Sequence, residues 1–244
     1  MKPLMVTPRP ALAERRFFMG MALALLATVF IGFSRSFFLR PLFPKWPSPS
    51  ESIFYVHGAM FTAWIVLFAV QASLVAAGRA ELHRRIGPFG AVLAFAMVVA
   101  GTFGALIAAG RATGFVGIPV PPLQFLAIPI FDIILFSAFV WLGIAKRRNL
   151  QSHKRWMLLA TLNLVTAAIA RWPGVTPLGP LAFFGLTDLF VVALAIWDFG
   201  TRGRLHPATL WGGLLIIGSQ PLRLVVSGTE GWLAFAHWAT GLFT

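Results

Sequence analysis

The chain has 244 residues, 58% of them hydrophobic and only 11% charged, with a formal net charge of +13 and no cysteine. Soluble domains carry about 25% charged residues, so this composition and a mean hydropathy of +0.82 exclude a soluble globule and indicate an integral membrane protein. The missing cysteine excludes disulfides and thiolate chemistry, and the basic residues lie between apolar runs, where they meet lipid headgroups rather than nucleic acid.

In chain order, residues 1–16 are polar and prolyl and end in Glu14-Arg15-Arg16. The apolar run 17–34 is long and no small-x-small cleavage site precedes Arg35, so it reads as a retained first span and not a signal peptide. A proline-rich loop, 35–51, leads to a second span at 53–77, and the short turn GRAELHRRIG to a third at 87–109. After a glycine-rich loop the fourth span, 121–145, is expected to kink at Pro129. The fifth, 156–171, is bounded by Trp156 and Trp172 as interfacial anchors, and 16 residues rise about 24 Å, short but sufficient. The sixth is 180–199 and the seventh 207–226, with a kink expected near Pro221. The terminal segment 232–243 is too short to span, and is expected to lie in the interface or fold back as a cap.

Residues 1–244 therefore read as one all-α transmembrane bundle of seven helices. Seven spans put 14 of the 20 basic residues on the N-terminal side, among them Arg15, Arg16, Arg84, Arg85 and Lys146 to Arg148. The positive-inside rule then places the N-terminus in the cytoplasm of a bacterial inner membrane and the C-terminus outside.

The second span carries His57, Phe61, Trp64, Phe68 and Gln71 at spacings of four and three, a single helical stripe. Polar groups at membrane depth are expensive unless they face protein or water, so this stripe should face the bundle. Asp132 lies near the middle of the fourth span and Asp188 within the sixth, with Arg171, Gln220 and Arg223 as candidate partners in the outer half. His57, Trp64, Asp132, Arg171, Asp188, Gln220 and Arg223 thus form the expected ligand-binding site. Gln71 belongs to helix packing. The same polar groups would serve a purely structural network, because interhelical hydrogen bonds hold membrane helices together.

His83, His153 and His206 each stand at the cytoplasmic entrance of an odd-numbered span, after an arginine. Their arginine and lysine neighbours disfavour a dication, so no metal site is expected there and headgroup contact fits better. The four lysines, Lys2, Lys45, Lys146 and Lys154, all lie outside the seventh span, which excludes a retinal Schiff base there. No P-loop, HExxH or Ser-His-Asp arrangement occurs.

The stretch QASLVAAGRAELHRRIG (71–87), HKRWMLLAT (153–161) and AAIARWP (167–173) resembles a group of uncharacterised bacterial multi-pass membrane proteins, over about residues 55–240. That resemblance implies the fold and no settled activity. A fainter similarity, through the His-Arg-x-x-Gly turn at His83, is to membrane proteins of haem and cytochrome oxidase maturation, and implies haem chemistry. The expected function is a non-catalytic membrane protein that binds a hydrophobic cofactor, lipid or quinone in its outer half, alone or as an accessory subunit of a larger membrane complex. The alternatives are a haem- or metal-dependent membrane oxidoreductase and a proton-coupled carrier. Expected partners are the bilayer, with anionic headgroups on the cytoplasmic side, and other membrane proteins.

Overall fold

The structure, a computed structural model, describes residues 9–47, 51–116, 118 and 120–243. Lys2 of the charge count, residues 48–50 of the proline-rich loop and positions 117 and 119 lie outside the described residues. In lipid only a helix or a closed barrel satisfies its own backbone, and the described residues form helices and connections with no strand. Helix α1 (Arg9–Phe33) runs into a π-helical turn, Ser34–Phe38, and a 3-10 turn, Arg40–Leu42. There follow α2 (Ser52–Ala76), α3 (Ala80–Gly110), α4 (Pro122–Phe125), α5 (Ala127–Ala145) and α6 (Leu150–Leu164). The chain closes with α7 (Thr166–Ile169), α8 (Pro180–Arg202), α9 (Pro207–Ser227) and α10 (Glu230–Gly241).

Among the described residues, six stretches are long and apolar enough to cross a membrane: Leu12–Phe38, α2, α3, Pro122–Ala145, α8 and α9. The fifth expected span, 156–171, is not among them. There the chain forms α6, shortens its ladder to a Val165 N–H bond onto the Leu162 carbonyl (3.1 Å), and resumes as the single turn α7. Every residue from Leu158 to Asn163 is buried, so α6 is walled by protein around its circumference. A helix surrounded by helices does not need an apolar exterior, which is why Thr161 and Asn163 are tolerated in it.

Two helix starts also differ from expectation. LHRRIG is helical, because α3 begins at Ala80, and Arg85 reaches back one turn to Glu81 (2.5 Å). The reversal is confined to 77–79, where Gly78 takes φ +77°. Likewise α6 begins at Leu150, with the Asn149 side chain accepting from the Ser152 N–H (3.1 Å) as N-cap. His153, Lys154 and Arg155 are therefore on the helix and not in the connection. Pro129 leaves the Phe125 carbonyl without its donor four residues on, and the fourth span is interrupted there, between α4 and α5.

Helices α5 and α6 form an antiparallel hairpin: Asn163 donates to the Asp132 carbonyl at one end and His153 meets the Gly143 carbonyl at the other. The approach is close, since a Cβ on Gly143 would stand 2.6 Å from the Met157 sulfur. Helix α8 lies antiparallel to α6, through Arg155–Asp198 and Thr166–Thr187. A Cβ on Gly32 would overlap the Ala168 carbonyl, so α1 and α7 touch backbone to backbone. Trp64, Phe136, Phe139, Trp156, Leu159 and Leu194 fill the core. Phe89, Val92 and Phe95 project from one face of α3, an apolar exterior of the kind lipid requires. Helix α10 folds back on α3 and α4, and Trp232 donates its indole N–H to the Leu123 carbonyl (2.8 Å).

Candidate functional site

The contacts define two ends. Glu14, His83, His153, Arg155 and His206 gather at one, the basic end, and His57, Glu51, Arg111 and Arg171 at the other, the far end.

Helix α9 presents Ser219, Gln220 and Arg223 to the bundle, all buried. Arg223 donates to the Asp132 carboxylate of α5 (2.7 Å) and to the Ser219 hydroxyl (2.8 Å). The faces of Phe131 and Phe184 stand 5.7 and 5.6 Å from its guanidinium carbon. Asn163 of α6 donates to the Asp132 backbone carbonyl (2.8 Å). One turn along, Gln220 donates to Asp188 of α8 (2.7 Å). Four of the seven expected site residues thus meet as two interhelical pairs that tie α9 to α5 and α8.

The other three stand elsewhere. Trp64 donates its indole N–H to the Thr161 hydroxyl (3.2 Å) and meets Phe136 edge-on. Arg171 donates to the Ala167 carbonyl (2.7 Å) and lies over the Phe33 ring, 5.0 Å from its centre. His57 stacks on Phe61 at 4.1 Å, beside Gly104 of α3, and its Nδ1 is buried without a hydrogen-bond partner. Arg171 is within electrostatic range of His57. No hydrogen bond or ion pair among the described residues joins these two to Asp132, Asp188, Gln220 or Arg223.

Sequence reasoning missed the most buried ion pair. Arg155 and Asp198 are both 0% exposed. Arg155 grips the carboxylate through Nε (3.0 Å) and Nη2, a fork geometry that only arginine provides. The second Asp198 oxygen accepts from the Thr209 hydroxyl (2.5 Å) and the His206 N–H (3.1 Å). Arg155 also donates to Gln151, whose amide reaches Glu14 (3.3 Å), and Glu14 pairs with Lys154. The chain α1–α6–α8–α9 is thereby linked across the basic end. The available signal was scarcity: the chain has seven carboxylates, and Asp198 lies at the end of an apolar run just before Arg202 and Arg204.

Of the three histidines read together, His83 and His153 do meet, with ring centres 6.1 Å apart. His153 Nδ1 donates to the Gly143 carbonyl (2.8 Å). His206 is separate and caps α9, its Nδ1 accepting from the Ala208 N–H (3.0 Å). Burial, then Arg155 and Arg202, lower the pKa of His206, which keeps that nitrogen an acceptor. Among the described residues no three histidine or carboxylate groups are placed to hold a metal ion. Comparison with protein-family models, with curated proteins and with solved structures returns no match.

Proposed function

We propose that this chain is a non-catalytic protein of the bacterial inner membrane, with seven spans and a cytoplasmic N-terminus, that binds a lipid or quinone beside His57. The observation that carries the reading is the His57 Nδ1: of the expected site residues, it alone keeps a buried polar atom with no partner. A buried polar atom left unpaired costs about 1–3 kcal/mol, so a ligand that hydrogen-bonds to it is favoured. Most of the carboxylates are tied to protein partners, which favours a structural role for them over a proton carrier. Glu14, Glu51, Glu81, Asp132 and Asp198 are each paired with a base, and Asp188 with Gln220. Service as an accessory subunit fits the same picture.

The ligand is tested on protein purified in mild detergent, extracted into organic solvent and analysed by mass spectrometry. We expect a co-purifying lipid or quinone near stoichiometric amounts, reduced about tenfold in His57→Leu, as loss of one buried hydrogen bond implies. A wild-type extract with no such species, or a Soret band or stoichiometric metal in its place, removes the reading.

The fifth of the seven spans would be α6 with α7. Residues 150–169 rise about 30 Å when helical, a bilayer core. The absence of native cysteine makes a direct test simple. A cysteine replacing exposed Arg148 should be labelled only from the cytoplasmic side, and one replacing exposed Leu178 only from outside. Labelling of both from the same side would mean that α6 and α7 do not cross.

A further inference from the structure

We propose that the far end of the bundle binds an anionic phospholipid, its phosphate held by Arg171 with Arg35 and Arg40 and its acyl chains against the neighbouring aromatic rings. This rests on the reading that the His57 end takes a hydrophobic ligand, and it names that ligand's class.

The buried and half-buried arginines divide by whether they have counter-ions. Arg155, Arg223 and Arg111 each donate to a carboxylate: Asp198, Asp132 and Glu51. Arg35, Arg40 and Arg171 are half-buried, and among the described residues none of them has a carboxylate within 4.0 Å. Arg171 uses one N–H on the Ala167 carbonyl. A guanidinium has five such donors in a fixed fork, so most of its capacity is unused in a partly desolvated place. A group of that kind is favoured by an anion that accepts bidentately, which is the geometry of a phosphate.

The three arginines are also held ready. Arg35 lies over the Trp46 ring, 4.8 Å from its centre, Arg40 over Tyr55 at 5.4 Å and Arg171 over Phe33 at 5.0 Å. A ring against the guanidinium face fixes its plane and leaves the N–H edge for a ligand. Two close approaches bring them around one π-helical turn, Ser34–Phe38. Gly32 against Ala168 seats α7 beside the end of α1, and a Cβ on Gly58 would stand 2.7 Å from the Phe37 ring, which seats the turn next to His57. The stacked rings of Phe30 and Phe38, and Phe37 against Tyr55, offer an apolar flank at the same level. Basic groups over aromatic and apolar surface at a bundle end match a lipid's order of phosphate over acyl chain.

The test uses the full chain in neutral detergent, with native mass spectrometry after addition of phosphatidylglycerol, phosphatidylcholine, ubiquinone or inorganic phosphate. The expected result is saturable phosphatidylglycerol binding, at least about tenfold tighter than phosphatidylcholine, lowered about tenfold by Arg171→Gln. Arg204→Gln, at the exposed basic end, should leave it unchanged. Arg35→Gln/Arg40→Gln, in the turn and loop after α1, is the second variant should Arg171→Gln fail to fold. Equal binding of the two phospholipids, or an equal loss with Arg204→Gln, overturns the proposal. Binding or full competition by inorganic phosphate alone would mean a free-anion site and also overturns it. Ubiquinone retained through His57 with no arginine dependence overturns the proposal and leaves the underlying reading standing. Failure of every hydrophobic ligand to bind the wild type removes both.

Discussion

Asp198→Ala should lower the stability of the folded bundle by about 3–5 kcal/mol, the cost of leaving one member of a buried ion pair alone. Arg155 would keep its charge at 0% exposure, with only Gln151 to receive it. Two further donors lose their acceptor, the Thr209 hydroxyl and the His206 N–H, so the damage spreads from α6–α8 into the start of α9. The effect is read from denaturant-induced unfolding of the purified protein in mixed micelles. Asp198→Asn should be milder, because it keeps an acceptor for Thr209. The double variant Arg155→Met/Asp198→Leu should recover much of the loss, since a buried pair replaced by apolar groups of similar volume is often neutral. A single Asp198→Ala variant as stable as wild type would mean that the junction contributes nothing to holding α1, α6, α8 and α9 together.

Arg223→Met should be comparably severe, at about 3–5 kcal/mol, because it strands the Asp132 carboxylate inside the bundle. The contrast is Gln220→Leu. Asp188 is only half-buried and loses one neutral donor, so that variant should cost about 0.6–2 kcal/mol, the range for interhelical hydrogen bonds in membranes. The ordering of the two decides what the Asp132–Arg223 and Asp188–Gln220 ties are for. If Arg223→Met is mild, Asp132 is not held by the pair and a role in proton movement returns. If it is severe while lipid retention per folded molecule is unchanged, Asp132 and Arg223 are a tie between α5 and α9 and the ligand belongs to His57.

Several of these features are legible in the sequence. Asp132 and Arg223 stand out because a charge in an apolar run is costly, and each implied a partner. Asp188 and Gln220 were readable for the same reason. The pairing itself was not, since Arg171 was an equal candidate by depth. It is excluded by the lateral position of α7, which packs on α1 and brings Arg171 to Phe33. The Arg155–Asp198 pair escaped because a charge near the end of an apolar run carries no penalty signal: it reads as a residue reaching for water. Helix starts at Ala80 and Leu150 are not legible because basic residues read as loop, although a helix emerging from lipid continues well into the headgroup layer.

Composition alone established a membrane protein made of helices, because apolar runs of this length have no other way to satisfy their backbone in lipid. The apolar runs placed seven expected spans, of which six coincide with helices long and apolar enough to cross a membrane among the described residues. Which polar group meets which was decided only in the folded bundle, where backbone contacts at Gly32, Gly58 and Gly143 bring particular helices together. The interrupted fifth segment is the clearest case. Hydropathy describes a helix's exposure to lipid, and α6 has almost none, so its place at the centre of the bundle depends on neighbours that no local stretch of sequence describes.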